Sequence, residues 1–152
     1  MKILFVCTGN TCRSPMAEYL FRKEMHDRSI ECVCRSAGIA TYTGSPASDD
    51  AIRVMKEIGI DMSDFRSTSI KAILADEYDL YVPMTYNHAT ALREYGIGKS
   101  RIYLFHHDIA DPYGGGINFY RHTREQLIEE IHTLADFVQK MIKSDEGTDN
   151  NE

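Results

Sequence analysis

Four side chains of this sequence could do chemistry together: the Cys7 thiol, the Arg13 guanidinium, the Ser14 hydroxyl and the Asp111 carboxyl. The first three fall within VCTGNTCRSP, from Val6 to Pro15. Each has a task if the ligand is a phosphoryl group. Gly9 lets the backbone turn where a side chain would clash, so that successive N–H groups from Thr8 through Asn10, Thr11 and Cys12 to Arg13 can form an anion-binding nest. A helix starting just after the loop would aim its positive end at the same point. Such surroundings can lower a cysteine pKa from about 8.5 to roughly 3.5–7.5, so a thiolate nucleophile is expected at Cys7. Arg13 offers a planar fork matching two phosphoryl oxygens. Ser14 can donate to the sulfur and ease its later departure, and Pro15 suits a first helical turn.

The flanking segments are those needed to hold such a loop. Lys2-Ile3-Leu4-Phe5-Val6 reads as a buried strand, and Ser14 to His26 as a helix with Met16, Leu20 and Phe21 on one face. Strand–loop–helix with Cys-x5-Arg-Ser near the N-terminus resembles the low-molecular-weight protein tyrosine phosphatase family. Asp111-Pro112-Tyr113, far downstream, resembles that family's general acid. The resemblance runs from Met1 to about Ile142. It implies Cys7 as nucleophile, Arg13 as phosphate and transition-state ligand, and Asp111 as acid and then base. The residues Thr8, Gly9, Asn10, Thr11, Cys12, Ser14 and Tyr113 are expected to bind substrate. It also implies that Ser36 and Asn10 support the loop, that Asp64 stands where the family often has a histidine of that network, and that Cys12 can pair with Cys7 on oxidation. No metal or other cofactor is implied.

Other chemistries fit less well. A thioredoxin-type site needs two residues between its cysteines, and Cys7 and Cys12 have four. Cys32-x-Cys34 and His106-His107-Asp108 lack further ligands at metal-binding spacing. An arsenate reductase of thiol-relay type needs cysteines well downstream, and none follows Cys34. A module that merely captures phosphorylated residues would need neither Cys7 nor Asp111. Among members of the resembling family, most tyrosine-directed ones carry isoleucine or another aliphatic residue at position 11, whereas those resembling protein-arginine phosphatases carry threonine, as here. CTGNTCRS followed by Asp-Pro-aromatic-Gly-Gly is closer to that subgroup, in which position 113 can be phenylalanine. Phosphoarginine is the expected substrate, with phosphotyrosine the alternative.

Four β segments (Lys2–Val6, Ile30–Ser36, Leu80–Met84, Arg101–Phe105) alternate with helical ones, so an α/β fold with a parallel sheet covered by helices on both faces is expected, and the family resemblance implies that the sheet is four-stranded. Helices are expected from Ser45-Pro46 to Gly59, around Ile70 to Leu74, from Thr85 to Tyr95, and from an Asn118 cap to Ile142, the last burying Leu127, Ile131, Leu134, Val138 and Met141. Tyr42, on a loop after the second strand, could line the cleft mouth. With 152 residues, 43% of them hydrophobic, one domain is expected over residues 1–143. Residues 144–152 carry Asp145, Glu146, Asp149 and Glu152 with no base and read as an acidic disordered tail. The net charge of −6 argues against nucleic acid as partner. No apolar run is long enough for a membrane, the start lacks a signal-peptide pattern, and a cytoplasmic location with reduced thiols and phosphorylated proteins as partners is expected.

Overall fold

The computed structural model describes residues 1–149. Its elements are β1 (Lys2–Cys7), α1 (Arg13–Asp27), β2 (Val33–Gly38), α2 (Asp49–Lys56), β3 (Leu80–Pro83), α3 (Tyr86–Glu94) and α4 (Ile117–Asp149). The strands form a parallel sheet in the order β2-β1-β3. Parallel neighbours need helical crossovers, which here cover both faces.

The alternation of side chains along β1 divides the core. Ile3, Phe5 and Cys7 pack on the face shared by α1, α2 and α4, where Phe5 meets Phe21 with ring centroids 5.6 Å apart. Leu4 and Val6 face the other layer, with Tyr78, Tyr81 and Leu92 of α3. This alternation places the Cys7 side chain against the helix that follows its own loop.

The fourth expected strand is reduced to a single parallel bridge between Ile102 and Tyr81, with the Tyr103 N–H donating to the Tyr81 carbonyl at 2.9 Å. A 3₁₀ turn at Lys99–Arg101 occupies its start, and the chain returns to the sheet only where the Ile109 N–H reaches the Met84 carbonyl at 2.9 Å. Pro83 ends β3, as a residue without an N–H must. β2 starts later than expected and runs through Gly38. α2 begins not at Ser45-Pro46 but after Ser48, whose side chain accepts from the Ala51 N–H, while Pro46 bridges to Arg66. The segment after Ser69 makes only a 3₁₀ turn, Ile70–Ala72. α3 is capped by the Thr85 hydroxyl.

Asn118 does not cap α4. It lies inside the helix, where its side chain accepts from Arg121 at 2.9 Å. Leu127, Ile131, Leu134 and Val138 are buried as expected, and Met141 is half-buried. The helix continues through Asp149, so the expected tail is helical to that residue; residues 150–152 lie outside the described ones. No helix among the described residues is long and apolar enough to cross a membrane.

Candidate active site

The loop between β1 and α1 closes around a cavity of about 230 Å³ lined by Cys7, Thr8, Gly9, Asn10, Thr11, Cys12, Arg13, Asp111 and Tyr113. Every side chain expected to meet substrate is there except Ser14, which lies behind the sulfur. The Cys7 sulfur is 2.8 Å from the Ser14 hydroxyl and accepts the Asn10 N–H at 3.2 Å. The first turn of α1 has no acidic residue and no side-chain cap, so its terminal N–H groups face the loop uncompeted.

Asn10 holds the loop's shape. It adopts a left-handed conformation (φ 53°) and is fully buried. Its side-chain oxygen accepts the Thr68 N–H at 2.8 Å, which turns its amide nitrogen toward Ser14 Oγ at 2.9 Å. Because Ser14 Oγ accepts from Asn10, its own proton is directed to the Cys7 sulfur. Gly38, where β2 leaves the sheet, supports the loop by having no side chain. A Cβ there would stand 2.7 Å from the Thr8 carbonyl oxygen and 3.0 Å from the Asn10 Cβ.

The Cys7 thiol differs from expectation. It is 2% exposed, and this burial pushes its pKa up; the Ser14 hydroxyl and N–H, Arg13 and the Asn10 N–H act in the opposite direction without reversing it. The sequence displays the donors but not the depth at which the sulfur lies.

Arg13 is buried and donates to the Ile109 carbonyl at 3.1 Å. That bond ties the cup to the segment leading into Asp111, whose carboxylate stands 3.8 Å from the guanidinium with its side chain 58% exposed. Asp111 also accepts the Tyr113 N–H at 3.1 Å. Carboxylate and guanidinium thus meet at the cavity that Cys7 also lines, although 98 positions apart in sequence.

Ser36 does not reach the loop. Its hydroxyl donates to Glu18 Oε1 at 2.7 Å, a buried contact joining β2 to α1. Asp64 is exposed, and the Thr68 N–H contacts Asn10 instead. Tyr42 is exposed and outside the cup lining. His106 and His107 direct their N–H groups to buried Glu130, and among the described residues no group of three His, Cys, Asp or Glu is arranged to hold a metal. All four cysteines are free. Cys12 lies 3.2 Å from the Tyr120 hydroxyl and 3.3 Å from Ser48 Oγ, and the Ser48 N–H donates to the Thr11 carbonyl at 2.9 Å. Ser48, Thr68, Tyr120 and His88, which reaches Thr8, brace the cup unannounced by any motif.

A buried cysteine sulfur in a loop cup that is also lined by one arginine and one carboxylate is the arrangement of a cysteine-dependent phosphatase. The family model described as low molecular weight phosphotyrosine protein phosphatase matches residues 2–145, and the chain belongs to that family. A protein-arginine-phosphatase of Geobacillus stearothermophilus is 38% identical over 91% of this chain and 96% of its own. The low molecular weight protein-tyrosine-phosphatase PtpB of Staphylococcus aureus is 31% identical over 91% of this chain and 99% of its own. Among solved structures, the arginine phosphatase YwlE, as a serine-for-cysteine mutant with a phosphorylated active-site serine, superposes with a TM-score of 0.84 at 32% identity, covering 92% of this chain and 97% of that one.

Proposed function

We propose that this phosphatase hydrolyses phosphoarginine on proteins through a cysteinyl-phosphate intermediate. The Cys7 thiolate attacks phosphorus, forming the S–P bond as the P–N bond breaks. The loop amides and Arg13 hold the equatorial oxygens as charge develops, and Asp111 gives the departing guanidine nitrogen its proton. Asp111 then takes a proton from water as that water attacks phosphorus. The S–P bond breaks, inorganic phosphate leaves and the thiolate is restored. The phosphorylated active-site serine of the YwlE mutant, in which serine stands for the cysteine, supports such an intermediate.

The observation on which the substrate assignment rests is the placing of two polar side chains at the cup, Thr11 and Asp111. Thr11 replaces an aliphatic wall, its hydroxyl oxygen 3.7 Å from where a Gly9 Cβ would stand, and the Asp111 carboxylate occupies the rim. The Asp111 carboxyl can hydrogen-bond the guanidine nitrogens and, in its protonated form, supply the proton that the leaving nitrogen takes, whereas a phosphotyrosine ring is favoured by apolar walls. The one ring present, Tyr113, does not separate the two, because guanidinium and aromatic groups both stack on tyrosine. Rates measured side by side on phosphoarginyl and phosphotyrosyl peptides should favour the former, and Thr11→Ile should shift the ratio toward phosphotyrosine. A faster phosphotyrosine reaction, unmoved by that substitution, would reverse the assignment.

The same cup supports a protective redox step: a Cys7 sulfenic acid formed by peroxide condenses with the Cys12 thiol, releasing water and leaving a disulfide that thiols reduce. Cys12→Ser should then make peroxide inactivation less reversible. A cytoplasmic setting, where such thiols stay reduced, suits this chemistry.

A further inference from the structure

His88 is 6% exposed on α3 and lies just behind the cup wall. Its Nε2 is 2.8 Å from Thr8 Oγ1 and its Nδ1 is 2.9 Å from Thr85 Oγ1. Thr85 Oγ1 already accepts the His88 N–H at 3.3 Å as the cap of α3. A hydroxyl that accepts there still has a proton to place, and Nδ1 is the acceptor beside it. With Nδ1 accepting, the ring proton sits on Nε2 and is donated to Thr8 Oγ1. Thr8 then receives a hydrogen bond from behind, and its own hydroxyl proton is free to point into the cup that it lines with Cys7 and Arg13.

We propose that His88 is a positioning residue of the phosphatase reaction, its imidazole orienting the Thr8 hydroxyl so that Thr8 donates a hydrogen bond to an oxygen of the bound phosphoryl group. The inference rests on the reading that this cup receives the phosphoryl group. A neutral ring lets Nδ1 take the Thr85 proton while Nε2–H is donated to Thr8. Burial and the nearby Arg13 charge depress the His88 pKa to about 4, against the pull of Asp108 and Asp111. The relay therefore stays set at neutral pH.

The test compares wild type with Thr8→Val, His88→Leu, the double variant and His88→Gln, on an aryl phosphate with inorganic phosphate as competing ligand. A lost hydrogen bond to an anionic oxygen should lower kcat/KM, and weaken phosphate inhibition, by about 10- to 100-fold in each single variant. The double variant should be no worse than either single one, and His88→Gln, whose side-chain N–H can reach Thr8, should recover most of the loss. Imidazole ¹⁵N resonances of the wild-type protein should show a protonated Nε2 and an unprotonated Nδ1. Additive effects of the two substitutions, a Thr8→Val enzyme with full phosphate affinity, or a proton on Nδ1 would each overturn the role of His88. The latter two readouts hold even if His88→Leu fails to fold. Turnover that survives Cys7→Ser, or hydrolysis indifferent to phosphate, would instead strike at the reading of the cup itself.

Discussion

Replacing Ser14 by alanine should move the Cys7 thiol further from ionisation. The hydroxyl is fully buried and 2.8 Å from a sulfur that is itself 2% exposed. Asn10 Nδ2 fills its acceptor side, so its proton belongs to the sulfur. A hydrogen bond to a buried charge contributes about 1.5–3 kcal/mol, which corresponds to about 1–2 pH units in the titration of the thiol. The direction follows from which form is stabilised. The hydroxyl favours thiolate, so its loss raises a pKa that burial has already raised. Alkylation of Cys7 by iodoacetamide, followed by mass spectrometry to separate it from Cys12, Cys32 and Cys34, should therefore need a pH higher by that interval. The acidic limb of kcat/KM should move the same way. The variant also strands the Asn10 amide in the interior, so its urea midpoint should fall by an amount worth about 1–3 kcal/mol. A Cys7 titration that stays in place or moves down would refute the claim that Ser14 holds the sulfur's charge.

Gly38→Ala should damage fold and activity together, because its Cβ would meet Thr41 Cγ2 at 2.6 Å and the Thr8 carbonyl at 2.7 Å. A loss of about 1–3 kcal/mol in urea unfolding is expected for such overpacking, and an unchanged midpoint would deny the close approach. Asp111→Asn should lower kcat on phosphoarginyl peptide by about 10²–10⁴ while Cys7 remains alkylatable; near-wild-type turnover would remove Asp111 from the chemistry. Glu57, held down to about 2 by hydrogen bonds from Arg121 and then Arg124, ties α2 to α4. A depressed carboxylate adds stability above its unfolded value of 4.5 and loses it as pH falls toward about 2. The melting temperature should therefore decline less steeply across that acid range in Glu57→Gln, and parallel declines would show that the cluster does nothing for folding.

The parts of the site visible in the sequence are those fixed by local spacing. Cys7, Gly9, Arg13 and Ser14 occupy a loop whose ends are set by an apolar strand and a proline-marked helix, so their relation survives whatever the rest of the chain does. Asp111 was legible only through its proline and its resemblance to a known pattern. Contacts across the fold were not legible. Ser36 sits where a loop-supporting serine is expected, yet it turns to Glu18, because β2 presents that residue to α1 and not to the cup. Thr68 acts through its backbone N–H, which no side-chain pattern can reveal. The fourth strand has the composition of one, but Tyr103 keeps a single ladder bond before the chain leaves the sheet. Cys7 shows the same division, since its donors can be read from residue types, whereas the burial that opposes them is a property of packing.

Two chains of hydrogen bonds end on neighbouring residues of the loop, and they come from different places. One runs from the Thr68 N–H through Asn10 and Ser14 to the Cys7 sulfur. The other runs from Thr85 through His88 to Thr8. The pleat of β1 explains the division, since Cys7 continues the Ile3–Phe5 side facing α1 and Thr8 falls toward the layer of α3. Each chain has one acceptor role filled at every link, so each leaves one proton with a defined direction. On the proposed function, the first proton would govern the charge on Cys7, and the second the grip of Thr8 on the phosphoryl oxygens. Because they share no group, the two functions should separate on mutation. Ser14→Ala should shift the pH dependence of Cys7 at nearly constant phosphate affinity, and Thr8→Val should do the reverse. A cup held only by its backbone would respond to either change with a loss of both.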